Sequence, residues 1–370
     1  MSEVRTVAPG PLREFTLQVV RALGAGPETA QEVADHLVQA NLSGHDSHGV
    51  LRLIQYAAEA DGGDLVPGAE PEVIRESAVC ALFDAHRGFG HRSTMSAAEW
   101  VMRQAREHGL AAAAVRHSTH IGRLGQYTER LAAEGLVALV TVGIAGPGAG
   151  SVAPFGGVSR FLGTNPWSIA VPAAGRPPLV FDAATSTIAE GKARVALARG
   201  AEVPAGAVQN AEGGPTRNPA DLYAGGTLTV LGGEVGGHKG FGLSLAAALV
   251  GGLAMIGDAE PTSAGTMSRP PQWDALLAGV FLVAIDPAAF GDPEDYQRRV
   301  ARVLDAAVAT PAKPGVEQVQ VAGDPERASR RRRELEGIEI PAATWQDLGT
   351  LAARYNVPLP STNAGSGTKA

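Results

Sequence analysis

The fold is decided by residues 111–142, which read AAAAVRHSTHIGRLGQYTERLAAEGLVALVTV. The apolar run Ala111–Val115 predicts a buried strand, Gly125–Glu134 predicts a helix, and Leu136–Val142 predicts the next strand. The alternation continues outward, with further strands predicted at Val79–Phe83, Ser168–Val171, Leu179–Phe181 and Leu277–Ile285, and helices at Ser93–His108, Lys239–Leu249 and Pro293–Val308. Strands that alternate with helices predict an α/β core.

The N-terminal part of the chain has a helical pattern instead. Apolar residues recur at helical spacing in Pro11–Leu23 and Pro27–Leu42. A third helix is predicted to begin at Asp46 or Ser47, either of which can cap it, and to end at Ala60 before two glycines.

Composition narrows the classes of function. With 370 residues and 45% apolar content the chain can bury a large core, and a net charge of −7 gives no electrostatic reason to expect a nucleic-acid partner. The basic run Arg330–Arg333 is followed by acidic residues and is interpreted as the solvated face of a helix.

Cys80, the single cysteine, is predicted to lie in a buried strand. Because no uncharged apolar run is long enough to span a membrane, we predict a cytoplasmic protein without membrane partners.

The first candidate site is Gly44–Tyr56, which reads GHDSHGVLRLIQY. In a helix His48, Arg52 and Tyr56 are four residues apart and share one face, with Ser47 at the helix start. A guanidinium can hold a carboxylate at two points while an imidazole and a phenol hydrogen-bond its neighbouring oxygen. The pattern therefore predicts a site for a small carboxylate, although a polar, solvated helix face explains the same spacing.

The second candidate site is His117–Tyr127, HSTHIGRLGQY, a loop between a strand and a helix, where α/β proteins keep their sites. His120 is a candidate acid–base residue because imidazole titrates near neutrality. A hydrogen-bonded surface histidine is the alternative. The pairs His45-x-x-His48 and His117-x-x-His120 also have a spacing compatible with a metal site, which leaves a metal-dependent enzyme open.

Two further stretches predict anion binding. One runs from Pro154–Gly157 through Leu162–Pro166 to Asp182–Ser186 and on to Gly191 and Lys192, and its hydroxyl and backbone N–H groups lie in turns. The other is Gly236–Gly242, GGHKGFG, in which Lys239 opens an apolar helix. Turn chemistry and helix capping explain these residues as well, apart from the lysine. Because no G-x-G-x-x-G follows a strand, residue chemistry alone predicts a small anionic substrate and anion-binding loops.

Taken in order, these segments resemble the malate/L-lactate dehydrogenase family that is unrelated to the Rossmann-type dehydrogenases. That family includes sulfolactate and ureidoglycolate dehydrogenases and piperideine-2-carboxylate reductases. The matching pieces are Gly44–Val50 with Arg52 and Tyr56, His120–Gly122 with Gly125 and Tyr127, Gly163–Pro166, Asp182 with Ala184–Ser186, Gly191 and Lys192, Lys239 and Gly240 with Gly242 and Leu243, and Gly337–Pro341. The chain departs from the family pattern at Ala183, where a bulkier residue is usual, and in the glycine-rich stretch Thr141–Gly150.

The resemblance implies an α/β fold of non-Rossmann type. Its parts would be a nicotinamide-cofactor-binding α/β core over 76–292, a largely helical domain built from the N-terminal segment 1–75 and the C-terminal segment 293–358, and a disordered tail over 359–370. It also implies a homodimer that uses NAD or NADP for hydride transfer at C2 of a small 2-hydroxy or 2-oxo acid. A reductase of a cyclic ketimine carboxylate would use the same residues. A metal-dependent enzyme on His45, His48, His117 and His120 is the further alternative.

Residue roles also follow from the resemblance. His120 resembles the family's acid–base residue, with His48 and Ser47 as catalytic neighbours and with Arg52, Tyr56 and Thr164 around the substrate. The implied cofactor contacts are His120, Ile121, Gly122, Arg123, Leu124, Asp182, Ala184, Thr185, Ser186, Lys239, Gly323, Asp324 and Pro325. In the implied mechanism Arg52 holds the substrate carboxylate, and His120 accepts the hydroxyl proton as hydride leaves C2.

Overall fold

The computed structural model describes residues 4–258 and 276–362 of the chain. The strands are β1 (Arg5–Val7), β2 (Glu72–Glu76), β3 (Cys80–Asp84), β4 (Leu110–Arg116), β5 (Val137–Ala145), β6 (Trp167–Val171), β7 (Leu179–Ala183), β8 (Val208–Gln209), β9 (Pro215–Thr216), β10 (Thr227–Leu228), β11 (Leu277–Ile285) and β12 (Ile338–Ile340). The helices are α1 (Pro9–Ala22), α2 (Pro27–Leu42), α3 (Arg52–Gly62), α4 (Gly90–His108), α5 (Gly125–Ala133), α6 (Glu190–Ala198), α7 (Ala220–Tyr223), α8 (Gly233–Gly251), α9 (Pro293–Val308), α10 (Asp324–Glu336) and α11 (Ala342–Tyr355).

A seven-stranded mixed sheet forms the centre of the structure, in the order β2-β3-β4-β11-β5-β6-β7. Only β3 and β4 run parallel within it, and every other neighbouring pair is antiparallel. Side chains of β11 alternate between buried and half-buried positions, because both faces of this strand are covered. The helices α4 and α5 contribute to a core with β3, β4, β5 and β11.

The helix α8 lies unusually close to the backbone of β5 and β11. A Cβ atom at Gly279 would collide with the carbonyl oxygen of Gly251, and one at Gly143 would collide with the backbone of Ala248. These glycines therefore allow helix and sheet to approach without intervening side chains. The same contact brings the backbone of Gly143 and Gly279 to the wall of the cavity described below.

A separate core draws on both ends of the chain. Apolar side chains of α1, α2 and α3 pack there with Ile338, Ile340 and Leu348. The strand β1 pairs antiparallel with β12, so that Arg5 lies opposite Ile340. The helix α9 makes its contacts elsewhere, since the carbonyl oxygen of Gln297 accepts a hydrogen bond from the turn after β6.

The predicted mixed α/β architecture is confirmed, and the predicted strands all lie within or overlap observed ones. The predictions for Cys80 and Lys239 were wrong. Cys80 begins strand β3 but is exposed, because it lies near the sheet edge formed by β2. Lys239 does not open a helix: α8 begins at Gly233, after Gly232 in a left-handed conformation, so Lys239 lies on its surface inside the helix.

The C-terminal residues 359–370 and the helical stretch Gly233–Met255 bear on the predictions of a disordered tail and of no membrane contact. Of residues 359–370, residues 363–370 lie outside the described part of the chain, whereas Thr362 pairs with Val7 in an isolated bridge. Among the described residues, Gly233–Met255 is the one helical stretch long and apolar enough to cross a membrane by length and composition. Core helices of soluble proteins meet the same criterion, and this one packs on the sheet.

Candidate active site

A cavity of about 160 Å³ lies where the N-terminal helical part meets the sheet. Eight of the residues predicted as site residues line it: Ser47, His48, Arg52, His120, Ile121, Gly122, Leu124 and Thr164. Lining residues outside the stretches that sequence analysis singled out include Ser151, Ala189, Glu190, Ala278, Gly279 and Val280. The two segments predicted as candidate sites therefore face one another across a shared space.

The segment that carries Ser47, His48 and Arg52 is not the continuous helix that the spacing predicts. A 3₁₀ turn at Asp46–His48 is followed by a break at Gly49, and α3 begins only at Arg52. The side chain of Asn41 causes the break, because its Oδ1 accepts the N–H of Val50 at 2.9 Å and its Nδ2 donates to Asp46 at 2.7 Å. A Cβ atom at residue 49 would collide with Asn41, so only glycine fits.

The helix α10 holds this segment from the other side. Arg333 donates to both carboxylate oxygens of Asp46, with N–O distances of 2.6 and 2.9 Å, and also to the carbonyl of Asn41. Arg330 donates to Ser43 and to Glu129. The predicted solvated face is therefore wrong for Arg330 and Arg333, which position the chain next to the cavity.

The loop that carries His120 is fixed by close contacts with α2 and α4. Gly122 has a φ of +71°, and a Cβ atom there would collide with the His36 ring and lie 2.9 Å from Nε2 of His91. The backbone N–H of Arg123 donates to Nε2 of His36 at 2.8 Å. Gly90, at the start of α4, leaves room for the carbonyl oxygens of residues 119 and 120.

Four histidines and a tyrosine form a buried group behind and beside the cavity, which we call the histidine cluster: His36, His48, His91, His120 and Tyr56. The Tyr56 hydroxyl lies 2.8 Å from Nδ1 of His120 and 3.3 Å from Nε2 of His91. The rings of His48 and His120 stack at 5.4 Å between centroids, and those of His36 and His91 meet edge to face at 4.7 Å. Because Nδ1 of His120 is bonded to Tyr56, its Nε2 remains for a ligand in the cavity.

The histidines of the cluster are neutral at pH 7. Burial, with the Arg52 guanidinium, lowers the pKa of His48 and of His91 to about 3. The same two causes hold the pKa of His120 well below its ordinary value. Burial and the nearby His91 do so for the pKa of His36. A neutral imidazole has one N–H and one lone pair, so His120 can donate or accept a hydrogen bond at the cavity, and its lone pair can accept a proton.

Arg52 is the cation of the cavity. Its Nε donates to the carbonyl of Ser47 at 2.6 Å and one terminal nitrogen donates to Gln55. In residues 4–258 and 276–362 no carboxylate lies within 4 Å of its guanidinium. Burial lowers the pKa of Arg52 without removing its charge. A half-buried guanidinium in this position can bind a carboxylate.

The opposite wall at this end of the cavity is the N-terminus of α6. A Cβ atom at Gly191 would lie 3.0 Å from Cβ of Ser47, which shows how closely the two segments approach. Glu190 lines the cavity and is 8% exposed. Its carboxylate accepts hydrogen bonds from Arg194 at 3.0 Å and from the Tyr223 hydroxyl at 2.9 Å. Sequence analysis missed Glu190, and its place one residue before the predicted Gly191 was the available signal.

Some predicted site residues lie behind the cavity wall. Tyr56 is fully buried and reaches the cavity only through His120. Asp182, at the end of β7, accepts the N–H of Gly125 at 2.7 Å and lies 3.6 Å from the buried Arg123 guanidinium. Arg123 also pairs with Glu129 at 3.2 Å. Arg123 and Asp182 thus hold the His120 loop to the sheet.

The other predicted cofactor contacts do not line the cavity and form two groups elsewhere. Ala184, Thr185 and Ser186 follow β7, and Thr185 bonds the carbonyls of Thr164 and Asn165. The carbonyl of Thr185 accepts the N–H of Leu231, which brings this turn close to the start of α8, the helix that carries Lys239. Gly323, Asp324 and Pro325 begin α10 beside β7, since Val180 donates to the carbonyl of Ala322.

The four histidines considered as metal ligands do not converge. His45 faces Glu326 at 3.2 Å, and His117 faces Asp84 at 3.0 Å and Asp258 at 2.7 Å. His120 faces Tyr56 instead. Across the described ranges, no group of three or more His, Cys, Asp or Glu side chains could hold a metal ion. The geometry therefore gives no support to the metal-dependent alternative.

Comparison with known proteins agrees with this arrangement. Residues 7–349 match the family model described as malate/L-lactate dehydrogenase. Hydroxycarboxylate dehydrogenase B of Escherichia coli is 33% identical over 347 residues, which cover 94% of this chain and 93% of that protein. The Delta(1)-pyrroline-2-carboxylate reductase of Ancylobacter novellus is 32% identical over 90% of this chain and 93% of its own. The crystal structure of malate dehydrogenase from Entamoeba histolytica superposes with a TM-score of 0.86 at 28% identity, over 97% of this chain and 100% of that one.

Proposed function

The chain belongs to the malate/L-lactate dehydrogenase family, and we propose that it transfers hydride between a nicotinamide cofactor and C2 of a small 2-hydroxy or 2-oxo acid. Its relatives are named as dehydrogenases and reductases, so the protein is an oxidoreductase. One observation carries the proposal. The guanidinium of Arg52, which pairs with no carboxylate among the described residues, and the neutral imidazole of His120 line the same cavity.

The proposed mechanism assigns one task to each side chain. Arg52 binds the substrate carboxylate in two places, which orients C2 and its oxygen. Nε2 of His120 accepts the hydroxyl proton during oxidation. In the reverse direction His120 takes up a proton first, and the imidazolium gives it to the carbonyl oxygen as hydride reaches C2. The Tyr56 hydroxyl holds Nδ1 of His120 and so fixes the ring. Ser47, His48 and Thr164, which also line the cavity, supply hydrogen bonds around the substrate.

The cavity wall fits the nicotinamide of NAD or NADP. Val142, Ile144, Val280 and glycine backbone form an uncharged part of the wall of the cavity that the His120 loop also lines. When bound, the cofactor supplies or accepts the hydride. We propose that the loop 120–124 and Thr164 contact the ring. The remaining predicted contacts, Asp182 to Ser186, Lys239 and Gly323 to Pro325, would hold or support the rest of the nucleotide.

We also propose that the cofactor binds without a Rossmann-type sheet. Only one neighbouring pair in the seven-stranded sheet, β3 and β4, is parallel. A doubly wound sheet binds dinucleotides where parallel strands end and the strand order reverses, and the described strands offer no such crevice.

Absorbance at 340 nm tests the proposed function. Purified protein would be mixed with NADH or NADPH and a panel of 2-oxo acids. We expect the nucleotide to be oxidised only when both the protein and a suitable acid are present. The variant Arg52→Gln tests the proposed carboxylate contact and should raise KM for the acid, because a charge-assisted hydrogen bond contributes about 1.5–3 kcal/mol. Absence of turnover with every acid, together with no binding of either nucleotide, would refute the proposal.

A second candidate reaction is the reduction of a cyclic ketimine carboxylate. The similarity to a Delta(1)-pyrroline-2-carboxylate reductase favours it. Arg52 and His120 would keep their tasks, with an imine nitrogen in place of the carbonyl oxygen. Adding cyclic imines to the same panel distinguishes the two reactions.

We further propose a homodimer in the cytoplasm. Several apolar side chains on or just after α8 are exposed, with Val235 at 95%, Ile256 at 66% and Leu249 at 54%. Large exposed apolar surfaces are typical of interaction sites. Light scattering after size exclusion tests the dimer, and cell fractionation tests the location.

A further inference from the structure

We propose that Gln55 is a positioning residue for substrate binding. Its amide holds the guanidinium of Arg52 in place without neutralising it, and so keeps the positive charge for the substrate carboxylate. This inference rests on the proposed function and adds a residue that does not itself line the cavity.

Among the residues that the structure describes, the hydrogen-bond partners of the Arg52 guanidinium are neutral oxygens. Nε donates to the backbone carbonyl of Ser47 at 2.6 Å, and Nη1 donates to Oε1 of Gln55. A guanidinium has further N–H donors beyond these two bonds, and they are left for a ligand. Because neither acceptor carries a net charge, the guanidinium is held by two bonds and still presents its positive charge to a carboxylate.

A buried carboxylate lies one step further along the same helix face. Arg52, Gln55 and Glu59 are three and four residues apart on α3, so their side chains are neighbours. Glu59 is 4% exposed, and its Oε1 accepts a hydrogen bond from Nε2 of Gln55 at 2.7 Å. Burial raises the pKa of Glu59 to about 6, so this carboxyl is still mostly ionised at pH 7.

The amide of Gln55 fits between these two neighbours in one orientation. Arg52 offers only donors and an ionised Glu59 offers only acceptors, so the amide oxygen faces Arg52 and the NH2 group faces Glu59. Glu59 thus fixes the orientation of Gln55 through a charge-assisted hydrogen bond. A carboxylate at position 55 would instead pair with Arg52 directly and compete with the substrate for it.

The test exchanges the two residues. Gln55→Glu combined with Glu59→Gln keeps the net charge and the number of carboxyl and amide groups, but it places the carboxylate against Arg52. We expect KM for the 2-oxo acid that the wild-type protein reduces best to rise by about 10- to 100-fold, the loss of roughly one charge-assisted hydrogen bond. The value of kcat should stay within about three-fold of wild type, because ground state and transition state lose the same contact.

The matched control is the same kind of exchange on α2, Gln31→Glu combined with Asp35→Asn. There an exposed glutamine donates to an aspartate four residues further along, at 3.0 Å, and neither residue lines the cavity. This control should keep the wild-type KM and kcat.

Two single variants test whether Glu59 orients the amide. Glu59→Gln keeps an acceptor for Nε2 of Gln55 and should keep KM within about three-fold of wild type. Glu59→Leu removes the acceptor, so the amide is free to turn, and KM should rise by about 3- to 10-fold. If the exchange variant does not fold, this pair decides the question, and equal KM values for the two would overturn the proposal.

The outcomes separate this role from the proposed function. An exchange variant that has the wild-type melting temperature by circular dichroism and keeps its KM, or that loses kcat instead of affinity, would overturn the role of Gln55 while the proposed function stands. If the wild-type protein reduces no acid with either nucleotide, the proposed function fails. Calorimetry with oxamate, an unreactive 2-oxo acid analogue, then measures the carboxylate contact directly. Weaker binding by the exchange variant would support the role of Gln55, whereas equal binding, or none by the wild-type protein, would overturn it.

Discussion

At the scale of single residues, the environment of His120 explains how one side chain could serve both directions of a reaction. A charged imidazolium can only donate hydrogen bonds. A neutral imidazole locked in one tautomer could only donate a hydrogen bond at Nε2 or only accept one there. Here the Tyr56 hydroxyl, which can act as donor or acceptor, faces Nδ1 of His120. Burial raises the pKa of Tyr56, so its proton stays on the phenol.

Replacing His120 by glutamine should reduce kcat by about 10²–10⁴-fold, the usual contribution of one positioned acid–base group. Glutamine retains a hydrogen-bonding group toward Tyr56 and does not titrate near neutrality. Steady-state kinetics would measure the loss, and nucleotide binding measured by fluorescence should persist. A variant that keeps activity within a few-fold of wild type would show that His120 does not transfer the proton.

Substitution of Gly122, compared with that of Gly206, should distinguish the backbone strain of a positive φ from a steric collision with the histidine cluster. Gly122→Ala places a side chain at positive φ and against His36 and His91, so we expect a loss of about 2–5 kcal/mol in unfolding free energy. Gly206→Ala is the matched control. Gly206 has a φ of +76° with open space around it and should lose only about 1–2 kcal/mol. Urea unfolding measures both, and equal losses would argue against a collision with the cluster.

His120 and Arg52 were predictable from the sequence because their residue types match the chemistry and their segments resemble a known family. His36 and His91 were not. Each is a single histidine on a helix, and nothing local distinguishes a buried histidine from an exposed one. Only the packing of α2 and α4 against the His120 loop brings them together.

At the scale of elements, the sequence predicted most strands and helices but not the break in the third predicted helix. Periodicity continues from His48 to Tyr56, and Gly49 is a mild helix breaker by itself. The break depends on Asn41, which lies on the preceding helix and captures the N–H of Val50. Such a long-range side-chain contact leaves no periodic signal. The domain boundaries at residues 76 and 292 stay predictions.

Arg333→Gln should loosen the segment that presents Ser47 and Arg52. The variant loses the paired hydrogen bonds to Asp46, so we expect about 1.5–3 kcal/mol lower unfolding free energy and a raised KM for the acid. Arg331→Gln, on the exposed face of α10, is the control and should change neither. If both variants behave like wild type, α10 does not position the site.

At the scale of the whole molecule, the histidine cluster couples stability to pH. His91 is fully buried, and its pKa falls from an ordinary value near 6.5 to about 3. Between these values the unfolded chain binds a proton that the folded protein does not. Stability is therefore complete above about pH 6.5 and falls as the pH decreases.

At pH 5 the unfolding free energy should be lower than at neutral pH by roughly 2 kcal/mol because of His91 alone, at about 1.4 kcal/mol per pH unit below 6.5. Urea unfolding at pH 7.5, 6 and 5 measures the slope. His91→Gln keeps hydrogen-bonding capacity but cannot titrate in this range, so its stability should decrease less steeply with acid. Parallel slopes for the two proteins would contradict the assignment.

The pairing of β1 with β12 has a consequence for biosynthesis. Arg5 lies opposite Ile340, and the core around them contains the helices that present Ser47, His48 and Arg52. A ribosome delivers the first of these strands long before the last. The substrate-binding half of the site must therefore wait, incomplete, until nearly the entire polypeptide has been translated. The central sheet is joined earlier, when β11 emerges and pairs with β4 on one side and β5 on the other.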